Sequence, residues 1–152
     1  RSHIKPGGLV IDYGCGVGRL STGLVDNGFP VIGIDTSDDM RRHSTNLVAN
    51  DRFVAMTPLM LDQLIRIGVR ADTVIAAWVL QHCLDVNAEV DRIYESLNKG
   101  GIVGVVDMRH RAVPTNQGWV NDSNVCGCFR IFTKRASGSI GGCLVLRRLN
   151  IF

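Results

Sequence analysis

The chain has 152 residues, 45% of them hydrophobic, and a formal net charge of +3 at neutral pH. That length predicts one domain, residues 1–152, with enough apolar residues for a packed core. So mild a charge, with no long Lys/Arg block, argues against a strong nucleic-acid binder, and no apolar stretch reaches the roughly 20 residues that span a bilayer.

The basic pairs Arg41–Arg42 and Arg147–Arg148 read as solvated faces. No secretory signal is visible. The five cysteines are Cys15, Cys83, Cys126, Cys128 and Cys143. An odd count without a regular framework predicts reduced thiols and a cytoplasmic setting. Cys126 and Cys128 form a C-x-C pair, not the zinc-type C-x-x-C, and no second pair sits nearby, so no metal is expected.

In chain order, Pro6, Gly7 and Gly8 make a turn. Leu9, Val10 and Ile11 are an apolar β-type run that ends in Asp12. Gly14, Gly16 and Gly18 follow at alternate positions, and a helix is expected over residues 17–26, stopped by Asn27 and Gly28. The second strand spans residues 30–35, with Pro30 at its start and Asp35 at its tip. Thr36 and Asp39 form a T-x-x-D capping pattern for a second helix that reaches about Ala49. The third strand is Phe53–Met56. Pro58 breaks the chain, and a short helix marked by Leu61, Leu64 and Ile65 ends near Gly68. A fourth strand covers residues 73–77, a helix residues 87–97, and a fifth strand residues 102–106. Strands four and five are apolar throughout, as in a sheet buried on both faces.

Alternating strands and helices of this kind predict a doubly wound, mostly parallel α/β sheet. Residues 108–124 are polar and irregular and read as a loop. Residues 128–133 and 144–149 are β-like and read as an antiparallel hairpin at the sheet edge.

The glycines carry the chemistry. A turn between strand and helix can demand positive φ, and a ligand reaches the backbone only where no Cβ intervenes. The helix N-terminus offers N–H groups to an anion. An acid about 20 positions later can accept hydrogen bonds from ribose hydroxyls. A dinucleotide fingerprint calls for G-x-G-x-x-G. Its third place holds Arg19 when counted from Gly14, and Ser21 when counted from Gly16.

The pattern present is D-x-G-x-G-x-G, from Asp12 to Gly18. It resembles the first motif of the class I S-adenosylmethionine-dependent methyltransferases. The resemblance continues through IGIDTSDDM at 32–40, ADTVIAAWVLQH at 71–82 and LNKGGIVGVVD at 97–107. These stretches lie in order over about the first two-thirds of the chain. The resemblance implies a Rossmann-like sheet ending in an antiparallel pair, and methyl transfer from S-adenosylmethionine to an oxygen, nitrogen or carbon acceptor, with S-adenosylhomocysteine as product.

It also implies site roles. Gly14, Cys15, Gly16 and Gly18 would carry the methionine part along their backbone. Asp12 would orient the loop or reach the amino group through water. Asp35 would hold the ribose, Thr36 and Met40 would flank the adenine, and Ala77 and Trp78 would offer backbone to the amino group. Asp12 equally fits a loop-organising carboxylate, and Met40 an ordinary core residue. Many relatives carry helices before the first strand that cover the cofactor. Here the first strand begins within ten residues, which fits a small variant, a trimmed form, or one part of a larger assembly in which another segment, partner or second copy covers the site. Relatives also carry an acid after strand three that meets the adenine amine, where this chain has Met56 and Thr57.

On the acceptor side the candidates are His82, His110, Asp107 and Tyr13. His82 follows strand four and can serve as a base near neutral pH, or pack beneath the cofactor loop. The asparagine–proline signature for exocyclic amines is absent, residues 77–80 being Ala, Trp, Val and Leu. A small-molecule acceptor is therefore expected, rather than DNA adenine or glutamine. Aminopropyl transfer lacks the acidic pair of a polyamine site, and a nicotinamide oxidoreductase is disfavoured by the glycine spacing. A non-catalytic domain of the same fold, binding cofactor or a partner chain, is the alternative.

Overall fold

The computed structural model describes residues 4–108, 111–115, 118–122 and 144–149. The elements run β1 (Val10–Tyr13), α1 (Arg19–Asp26), β2 (Val31–Ile34), α2 (Asp38–Val48), β3 (Phe53–Met56), α3 (Pro58–Arg66), β4 (Ala71–Ala77), a 3-10 turn (Leu80–His82), α4 (Val86–Glu95), β5 (Leu97–Met108), β6 (Arg111–Thr115), β7 (Gly118–Asp122) and β8 (Leu144–Leu149). The main sheet has the order β3-β2-β1-β4-β5-β8, and every pair in it is parallel.

The expected α/β doubly wound sheet is thus present. Its central strands are buried because both faces are covered. Ile11 and Tyr13 of β1 pack in one cluster with Leu61 of α3 and Val90 and Ile93 of α4. Val10, which points the other way, packs with Leu24 and Val25 of α1. This is the period-two alternation of a strand between two helical layers. The chain steps outward from β1 to β2 and β3, then returns to place β4 on the other side of β1. That reversal opens a crevice at the carboxyl ends of β1 and β4.

Several boundaries differ from expectation, each for a local reason. α2 is capped by Ser37, not Thr36: the Ser37 side chain accepts from the Met40 N–H at 3.3 Å. Pro58 opens α3 at a position where a missing N–H costs nothing, and Thr57 caps it. Asp85 caps α4, which ends at Glu95, so that Leu97 pairs with Ala71 and begins β5. A register shift follows between Ala71 and Thr73, near Gly100 with its φ of +80°.

The C-terminal third departs furthest. Part of the stretch read as a loop forms an antiparallel pair, β6 with β7, in a separate two-stranded sheet. β8 extends the main sheet, but parallel to β5. The long connection from β5 to β8 gives the chain room to re-enter in the same direction, as parallel pairing requires. The expected hairpin partner, residues 128–133, lies outside the described residues. Among the described residues no helix is long and apolar enough to cross a membrane.

Candidate functional site

The glycine loop crosses the end of β2. Gly14 and Cys15 both donate their N–H groups to the Ile34 carbonyl, at 2.7 and 2.9 Å. Gly14, Gly16 and Gly18 have φ of +78°, +52° and +88°, the left-handed region that favours glycine. Beyond that, each answers a different neighbour. A Cβ on Gly14 would stand 2.4 Å from Val79 Cγ2. One on Gly18 would meet Ser44 of α2 at 3.0 Å. One on Gly16 would meet nothing within 4 Å. Gly14 and Gly18 therefore serve packing within the protein, whereas Gly16 faces open space where a ligand can lie against the backbone.

Asp35 is tied to that loop. Its Oδ2 accepts from the Gly16 N–H and its Oδ1 from the Ser37 N–H, both at 2.9 Å. A carboxylate offers about four lone-pair positions, so each oxygen keeps capacity for a further donor. The residues at the two strand tips thus meet as their spacing predicts.

Beside them lies a cavity of about 370 Å³, within the range of small-molecule sites. Gly14, Asp35, Thr36 and His82, all expected in the site, line it. Tyr13 does also, together with the apolar side chains of Ile34, Pro58, Val79 and Leu84. The His82 backbone N–H is held by the Val79 carbonyl at 2.9 Å, and its side chain is exposed.

Cys15, Met40, Ala77 and Trp78 are not among the residues that line the cavity. Cys15 is buried, its thiol pushed up to about 12 chiefly by desolvation and then by the Asp12 and Asp35 carboxylates. It is a packed, protonated thiol; its Sγ would stand 2.9 Å from a Cβ on Gly33. Met40 is 39% exposed on the first turn of α2, so it is not a core residue. Trp78 has the left-handed φ of +61° and donates its N–H to Val106 at 2.7 Å. Ala77, half-buried, ends β4. Asp107 lies near the end of β5, and His110 lies outside the described residues. Among the described residues no group of three or more His, Cys, Asp or Glu could hold a metal ion.

Asp12 sits beneath the loop, only 2% exposed. Its Oδ2 accepts from Ser21 Oγ at 2.7 Å, which sets the carboxylate against the first turn of α1. Burial raises its carboxyl above the ordinary 3.8, against the bonds from Ser21. The native state therefore binds this proton more tightly than the unfolded chain does. The sign follows: ionised Asp12 costs stability, and the cost grows as pH rises from below 3.8 through the raised native value. Asp12→Asn removes the ionisation and leaves an amide oxygen for Ser21. Urea unfolding of D12N and the parent chain from about pH 3 to about pH 7 should show the difference moving steadily in favour of the variant. A difference moving the other way contradicts this account.

One network was not anticipated from the sequence. The Tyr13 hydroxyl donates to Glu89 Oε2. Arg92 Nη1 donates to the same oxygen at 2.5 Å and to the Tyr13 hydroxyl at 3.2 Å. Arg92 also grips Asp62 with two bonds, Nε to Oδ1 at 2.6 Å and Nη2 to Oδ2 at 3.3 Å. Burial first, and then the bond to Glu89, raise the Tyr13 hydroxyl. The Asp62 carboxylate holds Arg92 charged. Glu89 lines the cavity. Its sequence signal was faint: an acid one turn past the Asp85 cap and three residues before an arginine.

A model of the methyltransferase domain family matches residues 2–136. No curated protein sequence matches the chain. Among solved structures, an S-adenosylmethionine-dependent methyltransferase from Mesorhizobium loti aligns at a TM-score of 0.57 and 17% identity, over 82% of this chain and 62% of that one. The magnesium protoporphyrin IX methyltransferase of Synechocystis PCC 6803, solved with bound S-adenosylmethionine, aligns at 0.50 and 32% identity, over 61% of this chain and 46% of that one. The 4+2 cyclase SpnF aligns at 0.61 and 20% identity, over 77% and 45%. The chain thus spans from 45% to 62% of the length of these three structures. By the family match over most of its length, and by the fold it shares with these structures, the chain belongs to the methyltransferase-domain family and has the class I S-adenosylmethionine-dependent methyltransferase fold.

Proposed function

We propose that the glycine loop and the adjoining cavity hold S-adenosylmethionine, and that the chain transfers its methyl group to an oxygen, nitrogen or carbon atom of a small molecule. The observation that carries this reading is the meeting of Gly16 and Asp35. Gly16, the loop glycine whose Cβ direction is empty, donates its N–H to Asp35, a strand-tip carboxylate whose oxygens keep lone pairs to spare. A ligand with a ribose and a tail fits that pair.

In this reading Gly16 carries the tail on a loop that Gly14 and Gly18 hold in shape, Asp35 holds the ribose, Thr36 and Met40 flank the base, and the backbone of Ala77 and Trp78 takes the amino group. Bound S-adenosylmethionine supplies a methyl group already activated by positive sulfur. The protein's work is then to hold donor and acceptor in line and exclude water. His82, exposed on the cavity wall, can take a proton from an acceptor that must lose one. The small-molecule acceptor, residues 1–152 acting as one cofactor-binding unit, the cytoplasmic setting and a further segment or partner over the site belong to this same proposal. A second reading, a domain that binds without transferring a methyl group, is favoured by the lack of an acid at Met56 and Thr57. The cyclase aligned above illustrates that one fold hosts different chemistries.

Calorimetric titration with S-adenosylmethionine, S-adenosylhomocysteine and NAD tests the cofactor. The first two should bind and NAD should not; binding of NAD alone, or of none, overturns the proposal. Asp35→Ala should weaken both adenosyl ligands by about 1.5–3 kcal/mol, the range for hydrogen bonds to a charged group. That is roughly 10- to 150-fold in affinity. The loss should be equal for the two, since both carry the ribose. Transfer of labelled methyl groups to small acceptors then separates an enzyme from a binding domain.

A further inference from the structure

The polar groups in and beside the cavity decide what it can recognise. After β3 the chain contributes Pro58, the first residue of α3, which has no N–H to donate. The neighbouring Thr57 has its hydroxyl oxygen engaged by the Met60 N–H at 3.1 Å. No acid stands there. Glu89 of α4 lines the same cavity. Both bonds to this carboxylate fall on one oxygen, Oε2, from Tyr13 and Arg92. Its Oε1 has no hydrogen-bond partner among the described residues.

The carboxylate is also fixed in place. Its side chain is 24% exposed, Tyr13 is buried at 3%, and Arg92 is anchored to Asp62. A charged oxygen held still, with open lone pairs, beside the apolar walls of Pro58, Val79 and Leu84, is a specific acceptor for a ligand N–H. Gly16 is not part of this cavity's lining, whereas Asp35 and Thr36 are. With the tail on Gly16 and the ribose on Asp35, the part of the cavity lined by Thr36, Pro58 and Glu89 receives the base.

We propose that Glu89 reads the exocyclic amine of the adenine, supplying from α4 the carboxylate that the loop after β3 lacks. This rests on the cofactor reading above. It makes Glu89 a specificity-determining residue: an amine donates to Oε1, while a carbonyl oxygen in its place is repelled.

The probe is S-inosylhomocysteine, which replaces that amine by a carbonyl oxygen. Its affinity is compared with that of S-adenosylhomocysteine for the parent chain and for Glu89→Gln. The parent chain should prefer the adenosyl compound by at least about tenfold, the selectivity expected when a partly buried polar group is left unpaired beneath the ligand. E89Q, whose amide can donate to the carbonyl, should narrow the ratio about tenfold or more. Equal binding of the two compounds by the parent chain overturns the proposal without any variant. So does an unchanged ratio in E89Q. Methylthioadenosine, which lacks the amino-acid tail, should lose affinity in E89Q as S-adenosylhomocysteine does; a loss confined to S-adenosylhomocysteine assigns Glu89 to the tail and overturns the proposal. Failure of the parent chain to bind any of these nucleosides overturns the cofactor reading itself.

Discussion

Gly16→Val should abolish the rise in melting temperature that S-adenosylhomocysteine gives the parent chain. The branched side chain begins at Cβ, and the Cβ direction at Gly16 is the open space in which the ligand is proposed to lie. The side chain thus meets no protein atom within 4 Å of its first carbon, and the block falls on the ligand. The φ of +52° adds a separate cost. A β-branched residue in the left-handed region is strained by about 1–3 kcal/mol, so the ligand-free variant should melt lower. Gly16→Ala, with less bulk and less strain, separates the two effects: its melting temperature should lie nearer that of the parent, yet its ligand response should remain sharply reduced. A folded G16V with the parent's ligand shift removes this loop from the site.

Gly14→Ala should do the opposite and destabilise the protein with or without ligand. Its φ of +78° and a Cβ 2.4 Å from Val79 Cγ2 leave no room for even one methyl group. Left-handed strain of about 1–2 kcal/mol adds to overpacking of about 1–3 kcal/mol. The expected loss, about 2–5 kcal/mol, is read from denaturant unfolding. A G14A variant as stable as the parent would show that Val79 yields freely and that its contact with Gly14 does not hold the loop.

The sheet was legible because its signals are local. The apolar runs of β1, β4 and β5 have the composition of strands covered on both faces, and alternate glycines before a helical pattern have few structural uses. Asp35 was legible for the same reason, standing at a strand tip at a fixed distance from the loop. What sequence reading missed depends on distant partners. Ser37 caps α2 in place of Thr36 because the cap is set by which side chain faces the Met40 N–H. Leu97 fits the helical face of α4 by spacing, but pairing with Ala71 makes it a strand residue. The parallel placement of β8 depends on β5 as a template. Tyr13 and Glu89 lie 76 residues apart and Arg92 lies 30 from Asp62, so no periodicity could join them. Asp12 shows a further limit: a motif position identifies the carboxylate, but only its burial against Ser21 shows that it supports the loop from beneath.

The central claim is that an adenosyl ligand lies across Gly16 and Asp35. Amide hydrogen exchange with and without S-adenosylhomocysteine tests it most directly, because the loop and strand-tip amides report the ligand's position residue by residue. The account predicts slowed exchange concentrated in residues 14–18 and 35–37, with further protection in residues 79–84 along the cavity. Unchanged exchange in the glycine loop, with protection elsewhere in the chain, would contradict it.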